Sequence, residues 1–457
     1  MWDLRLDREA GQGEVGEDRK IRTTLYRADV QCLETLTRMH IVFFNRSFHP
    51  DTAATGQLLT ELCESLVKDY ACRVTVVAGV PLVSSLGNGT GRGHGYIFHS
   101  ENYQGIDILR AHGTRFSKIR FIGRFSNYVS YFLSACYAGL RLDRPDVVVA
   151  LTDPPVIGLA AYLTACRFSV PFIMSYRDIF TEVARLLEDF HSETVNVILQ
   201  CVNRFLVRKA ERIVALGETM RHRLIDGKGS DPVKTLVIPD WADCFEIAPA
   251  PKLNPFSLAH GLTDKFVVMH SGNIGLSQGL ETVVEAAAYL KQYSDVEMVF
   301  VGDGVKKPAL EDRVRTLGLE NVRFLPYQAK GLLKDSFASA DVFVVSLKEG
   351  LAGYIVPSKL YGILAAGRPF IGVVEESCEV AAITRQYNCG LLAEPGDPED
   401  LARKILTLYQ NRDLARHLGA NARRAALEFD RHSQIRAYYE LFCKVAPVSV
   451  PTVNGPS

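Results

Sequence analysis

No sign of charge dominates this chain: 52 basic and 52 acidic residues cancel to a formal net charge of zero. A global field favouring nucleic acid is therefore excluded, and any polyanion or membrane contact has to be local. No C-x-x-C pair occurs among the ten cysteines, which stand at 32, 63, 72, 136, 166, 201, 244, 378, 389 and 443, mostly inside apolar runs. That pattern suits buried thiols in a reducing compartment. The eleven histidines include no H-E-x-x-H and no other ligand spacing, which argues against zinc, and no cofactor metal is written into the chain. Apolar runs long enough to span a bilayer are missing too: residues 128–140 are too short, and 147–166 is broken by Asp153, Pro154 and Pro155. The first 38 residues are rich in Arg, Asp, Glu and Gly and lack the apolar core of a signal peptide. They read as a flexible extension, with the fold expected from Met39.

One absence is local. Between Asp107 and Asp143 there is no acidic residue, while Arg110, Arg115, Lys118, Arg120 and Arg124 alternate with Phe116, Phe121, Phe125 and Tyr128. A solvated face has this composition, and so does a membrane surface, in which case Arg115, Lys118, Arg120 and Arg124 would meet anionic lipid.

What is present is alternation. With 457 residues, 47% hydrophobic and 23% charged, the chain is long enough for two domains with real cores. Apolar strands are expected at 41–44, 73–78, 147–151, 171–174, 212–216 and 235–238, with helices at 56–67, 156–166, 196–210 and 218–224 between them. Pro154 and Pro155 end the 147–151 strand, because neither has a backbone N–H to continue a ladder. Residues 87–95, GNGTGRGHG, follow no strand at phosphate-loop spacing and are taken as a surface loop. Residues 241–259, with prolines at 249, 251 and 255, form a linker. A second series of strands follows at 266–270, 296–301, 322–325, 342–345 and 370–374, with helices from Leu280, over 378–387, from Glu399 onward and over 434–442. Strands alternating with helices predict right-handed βαβ units and parallel sheets, hence an α/β protein. The tail, 447–457, is expected to be loose.

The most informative stretch is 342–374, VFVVSLKEGLAGYIVPSKLYGILAAGRPFIGVV. It predicts a buried strand, a glycine-rich loop, a short helix opened by Pro357 and Ser358, a stop at Gly367-Arg368-Pro369 and another strand. The helix start, with Lys359 just inside it, is where an anion would be favoured. The plainer alternative is that Ser358 only caps the helix and Lys359 is solvated.

PSKLYGILAAGRP, followed by EVAAITRQYNCGLLAEPGDPEDLARKI, resembles the donor half of a GT-B glycosyltransferase of family 4, nearest to the bacterial polysaccharide enzymes. The resemblance spans roughly residues 39–445. It implies the GT-B fold, two Rossmann-like domains with parallel sheets facing a central cleft: an acceptor domain at 39–240, the linker at 241–259, a nucleotide-sugar donor domain at 260–430 and a helix at 431–446 crossing back to the first domain. It further implies transfer of a sugar from a nucleotide-sugar to a lipid-linked saccharide acceptor in cell-surface polysaccharide biosynthesis. Retention of configuration without metal or cofactor, at the inner face of the cell membrane, is part of the same implication.

Residue by residue, the loop NRSFHPDTAATG places Thr55 and Gly56 where backbone approaches the donor phosphates, with a plain turn as the alternative. Asp178, flanked by Arg177, matches the family's acidic residue in the cleft, and a helix cap is its alternative. The loop SGNIGLSQG brings Gly272, Asn273 and Gln278 to the diphosphate. Gly302, Asp303 and Tyr327 stand near the nucleotide base. Gly353, Ser358, Lys359 and Glu379 complete the donor set, with Asp178 and Lys359 as the candidate catalytic pair.

Three departures accompany the match. Counting back from Gly367, the family's two glutamates fall on Gly362 and Tyr354, a basic residue common in the diphosphate loop is Gln278, and Glu349 is the open substitute for the first glutamate. A sugar-nucleotide 2-epimerase of the same form and a non-catalytic nucleotide-binding relative remain as alternatives.

Overall fold

The strands β1 (His40–Phe44), β5 (Val147–Ala150) and β6 (Phe172–Ser175) are buried at every position, so neither face meets water and helices must cover both. The computed structural model describes residues 38–51, 53–81, 97–114, 121–186 and 193–446. The expected extension at 1–38 lies almost wholly outside them, as do the loop at 87–95, the tail at 447–457, and Arg115, Lys118 and Arg120; of Arg124 only the helical backbone is described.

With β2 (Arg73–Gly79), β3 (Phe98–Tyr103), β4 (Ile106–Ala111), β7 (Arg212–Ala215) and β8 (Thr235–Val237), these strands form a sheet in the order β3-β4-β2-β1-β5-β6-β7-β8. The expectation of parallel pairing throughout needs one correction. β3 runs antiparallel to β4 in an edge hairpin that turns at Gln104-Gly105, both at positive φ (49° and 83°). Such a two-residue turn matches the twist of its strands, and the polar β3 can face water at the edge.

The second sheet, β9 (Phe266–Ser271), β10 (Val296–Val301), β11 (Val322–Leu325), β12 (Val342–Ser346), β13 (Phe370–Val373) and β14 (Gly390–Ala393), has the order β11-β10-β9-β12-β13-β14 and is parallel throughout. Strand order reverses between β1 and β5 in the first sheet and between β9 and β12 in the second. A crevice opens beyond the carboxyl ends at such a switch point, and ligands gather there.

The helices Phe121–Leu140, Ile157–Phe168 and Glu193–Lys209 pack side by side under the first sheet. The Ala54–Lys68 helix starts two residues earlier than the apolar spacing suggests. After the first sheet the chain passes Trp241 and a short helix, Pro255–Ala259, fixed by a capping box between Asn254 and Ser257. The last helix, Arg431–Val445, returns to the first sheet: Phe442 meets Phe43 edge-on at 6.0 Å, and Tyr439 stacks on Tyr70 at 4.2 Å. Burial of each large apolar side chain in these cores is worth roughly 1.5–3 kcal/mol.

Candidate active site between the two sheets

At the carboxyl end of the second sheet two glycine loops lie backbone against backbone. A Cβ on Gly302 (φ +152°) would overlap the Gly272 carbonyl oxygen, and one on Gly304 (φ +156°) would overlap that of Ile274. Only glycine allows both the backbone angle and the approach. The loop after β9 is closed from within: Gly272 N–H donates to Val301 O at 2.9 Å, Ile274 N–H to Asp303 O at 2.8 Å, and Gly275 N–H to Gln278 Oε1 at 2.9 Å. Gln278 thus stands where a basic residue is common and serves as a brace for the loop. Asn273 is exposed on this loop, and Asp303, also exposed, accepts from Gly304 N–H at 2.8 Å.

Because these loop N–H groups are already used, the charge facing the loops comes from Lys359. It opens the helix Lys359–Ala365, and its Nζ lies 3.1 Å from His270 Nε2 and beside Gly272. No carboxylate pairs with it among the described residues, and burial lowers its pKa to about 7. Ser358 is a correction: it occupies the N-cap position with helical backbone angles and makes no side-chain cap bond. Gly362 looks away from the loops. A Cβ there would lie 3.0 Å from the Phe337 ring, with Ile247 behind it. A carboxylate at this position would face an apolar wall.

The opposing side is built from the first sheet. Asp178, after β6, accepts a hydrogen bond from Thr152 Oγ1 at 2.8 Å, and its backbone bridges Ile355 on the loop leading to Lys359. Burial raises its pKa to about 6. Arg177 turns the other way, into a buried ion pair with Asp240. Gly56 packs inward, where a Cβ would meet Ser47 Oγ at 2.7 Å, so its small size serves the turn after β1. Gln57 Nε2 donates to Tyr327 Oη at 3.2 Å, linking that turn to the end of β11.

Further contacts hold the two halves together. Ile179 N–H donates to Tyr354 O at 2.9 Å, Arg223 Nε donates to Ala352 O at 3.3 Å, and the Arg223 guanidinium stands 4.8 Å from the Tyr354 ring. Gly353 (φ +78°) is pressed against Arg223, where a Cβ would come within 2.8 Å. Glu379 stands where the two halves meet. Its Oε2 accepts from Thr219 N–H at 3.2 Å and Thr219 Oγ1 at 3.1 Å, at the start of the helix Glu218–Lys228. It is therefore a brace between the halves, and burial holds its pKa above the usual carboxylate range.

The structure thus gathers Gly272, Asn273, Gln278, Gly302, Asp303 and Lys359 at one sheet edge and brings Asp178 to the loop that leads into the Lys359 helix. Sequence reasoning missed His270, Lys348 and Glu375. Lys348, just past β12, donates its N–H to Ser277 O at 2.8 Å and returns a positive charge to the neighbourhood of Gln278; its place after a strand was a usable signal. Glu375 Oε2 accepts from Gly350 N–H at 2.9 Å and orders the glycine-rich loop, a role that Glu349, exposed, does not take.

Two doubly wound sheets facing one crevice, with glycine loops and a lysine at its floor, define the GT-B architecture. Residues 256–425 match the family described as "Glycosyl transferases group 1", and residues 55–241 match "Glycosyl transferase 4-like domain". WbjE of Pseudomonas aeruginosa, named as a glycosyltransferase, is 30% identical over 302 residues, covering 64% of this chain and 73% of that protein. WcaI of Escherichia coli K12, named as a colanic acid biosynthesis glycosyl transferase, is 28% identical over 219 residues, covering 46% and 53%. Among solved structures, HepE of Anabaena in complex with UDP superposes with a TM-score of 0.68 at 16% identity, covering 89% of this chain and all of that one. Sucrose-phosphate synthase of Thermosynechococcus elongatus gives 0.71 at 16% identity, covering 89% and 99%. The chain belongs to the GT-B glycosyltransferases of family 4.

Proposed function

We propose that this glycosyltransferase moves a sugar from a nucleoside diphosphate sugar, with retention of configuration, onto a lipid-linked saccharide at an anionic membrane surface, in cell-surface polysaccharide biosynthesis. The observation that carries the donor half is the Lys359 ammonium, set against the Gly272 loop without a carboxylate partner among the described residues. The HepE structures, solved with UDP and with UDP-glucose, support a nucleotide-sugar for this fold, and the name of WcaI supports the polysaccharide context.

In this reading the leaving diphosphate gains charge as the glycosidic bond breaks, and Lys359 binds that state better than the ground state. Asp178 stands on the acceptor side, where its carboxylate orients the attacking hydroxyl. Charge neutralisation is assigned to Lys359, with Lys348 nearby, and no cofactor is called for.

The membrane half rests on the three helices under the first sheet. Val129, Leu133, Tyr137 and Leu140 form an exposed stripe along Phe121–Leu140, with Leu133 60% exposed, and the neighbouring helices expose Leu163, Val197 and Ile198. Exposed Arg167, Arg204, Arg208 and Lys209 supply the cations on those neighbours. An apolar stripe beside cations suits an anionic lipid surface. No helix among the described residues is long and apolar enough to cross a membrane.

The test is incubation of the purified protein with UDP-, GDP- and ADP-hexoses and a membrane lipid extract, with products identified by mass spectrometry and anomeric configuration by NMR. A glycolipid product of retained configuration is expected. Binding of a nucleotide-sugar without any product would make the protein a non-catalytic relative, and epimerised donor would make it an epimerase.

A further inference from the structure

We propose that His270 is a positioning residue: its Nε2 accepts a hydrogen bond from the Lys359 ammonium, aims that charge at the Gly272 loop and couples donor binding to proton uptake by Lys359. The inference rests on the donor reading above for its second half only.

His270 is the penultimate residue of the central strand β9 and only 2% exposed, with its ring 6.0 Å from that of Phe300. Its Nε2 lies 3.1 Å from Lys359 Nζ and 3.4 Å from Asn273 O, while Nδ1 is buried without a hydrogen-bond partner. An ammonium only donates, so the shorter contact is attractive when Nε2 carries the lone pair and the ring proton sits on Nδ1. This is the neutral imidazole, and the surroundings keep it so: burial, and then the charge of Lys359, push the His270 pKa well below its ordinary value. His270 is therefore an acceptor that does not compete for the proton.

Lys359 itself titrates near neutrality because burial lowers its pKa to about 7. The surrounding elements bring little else that ionises. β9 brings His270, the loop 271–279 has no ionisable side chain, the loop after β10 brings Asp303, turned to Gly304 N–H, and the loop after β12 brings the exposed Lys348 and Glu349. On the helix side Tyr361 is buried, with its pKa held up first by burial and then by Asp240 and Glu379. A diphosphate arriving beside Gly272 favours the ammonium, so above neutral pH its binding must draw a proton from solvent.

The first test needs no donor. Competitive labelling with acetic anhydride across pH, followed by peptide mass spectrometry, reads the titration of Lys359 in the folded protein. The parent is expected to titrate near pH 7. His270→Leu removes the acceptor and is expected to move the midpoint down by about one to two pH units, the equivalent of a lost hydrogen bond to a charged group. His270→Gln keeps an acceptor near the Nε2 position and is expected to stay near the parent. Should the leucine variant not fold, His270→Asn, polar but too short to reach Nζ, takes its place with the same expectation. An unchanged midpoint in the leucine or asparagine variant, or a glutamine variant no closer to the parent than they are, overturns the positioning role.

The second test is calorimetric titration of UDP in buffers of different ionisation heat. Uptake of nearly one proton per UDP is expected at pH 8 and nearly none at pH 6, and neither pH should show uptake in Lys359→Met. UDP binding with no proton uptake at pH 8 overturns the coupling. Failure of UDP, GDP and ADP alike to bind overturns the donor reading and the coupling with it, while the labelling result still decides the role of His270.

Discussion

Replacing Lys359 by methionine should weaken catalysis and strengthen the fold at once. The ammonium has no carboxylate partner among the described residues, and burial takes its pKa from 10.5 to about 7. At about 1.4 kcal/mol for each pH unit, holding the charged form in the fold costs at most about 5 kcal/mol. The folded pKa lies below the unfolded one. The penalty is therefore fully present below pH 7, fades between pH 7 and 10.5, and is gone above that. Lys359→Met should then raise the denaturation midpoint at pH 6 by the equivalent of up to about 5 kcal/mol, and the gap to the parent should narrow by pH 9. Sugar transfer should fall on the order of a hundredfold, the typical loss of about 3 kcal/mol for one well-placed donor to a developing anion. Urea melts at pH 6 and 9, beside a product assay on the same preparation, supply both readouts. Transfer at the parent's rate would show that the diphosphate is held elsewhere. A variant less stable than the parent at pH 6 would show that the fold stabilises the ammonium, contrary to the burial argument.

Other outcomes follow from the same geometry. Burial raises the Asp178 pKa from 3.8 to about 6, so the parent's turnover should fall as pH drops through 6. Asp178→Asn should be slower by about tenfold or more, without that break, and a break that persists in the variant would assign it to another group. Gly302→Ala places a Cβ into the Gly272 carbonyl at positive φ, so it should cost about 3 kcal/mol of stability in a urea melt, and a neutral substitution would disprove the loop packing. Glu379→Ala should cost about 1–2 kcal/mol by uncapping the Glu218–Lys228 helix. Gly217→Ala, whose Cβ would displace Glu379, should not add to that loss, and additive effects in the double mutant would break the link. Leu133→Glu should lower cosedimentation with anionic vesicles at unchanged melting temperature, and equal sedimentation would remove the membrane surface from the helix stripe.

Much of the fold was legible because its signals are local. Unbroken apolar runs such as Val342–Val345 and Val147–Leu151 mark strands buried on both faces, and the structure has β12 and β5 within one residue of the expected bounds. Asp397-Pro398 opens a helix through an Asp397 side-chain bond to Asp400 N–H at 2.9 Å, which a capping pattern announces. The placing of Lys359 at a helix start was legible for the same reason, since turn residues and helix starts act within a few positions of themselves.

The sequence by itself determined the strands, the glycine loops that follow them and the position of Lys359 beyond a carboxyl edge. Only the tertiary structure decided what those groups meet. His270 touches Lys359 across 89 residues, and Glu379 reaches Thr219 across 160, because strand order and the apposition of the two halves fix those encounters. Phe337 closes the wall in front of Gly362 for the same reason, and β3 pairs antiparallel with β4 at the sheet edge, where the sequence reading placed no strand. Side-chain period and backbone preference set an element over a few residues. Which face of one element covers which face of another is set by burying the whole apolar surface together, and that choice is not written at any single position.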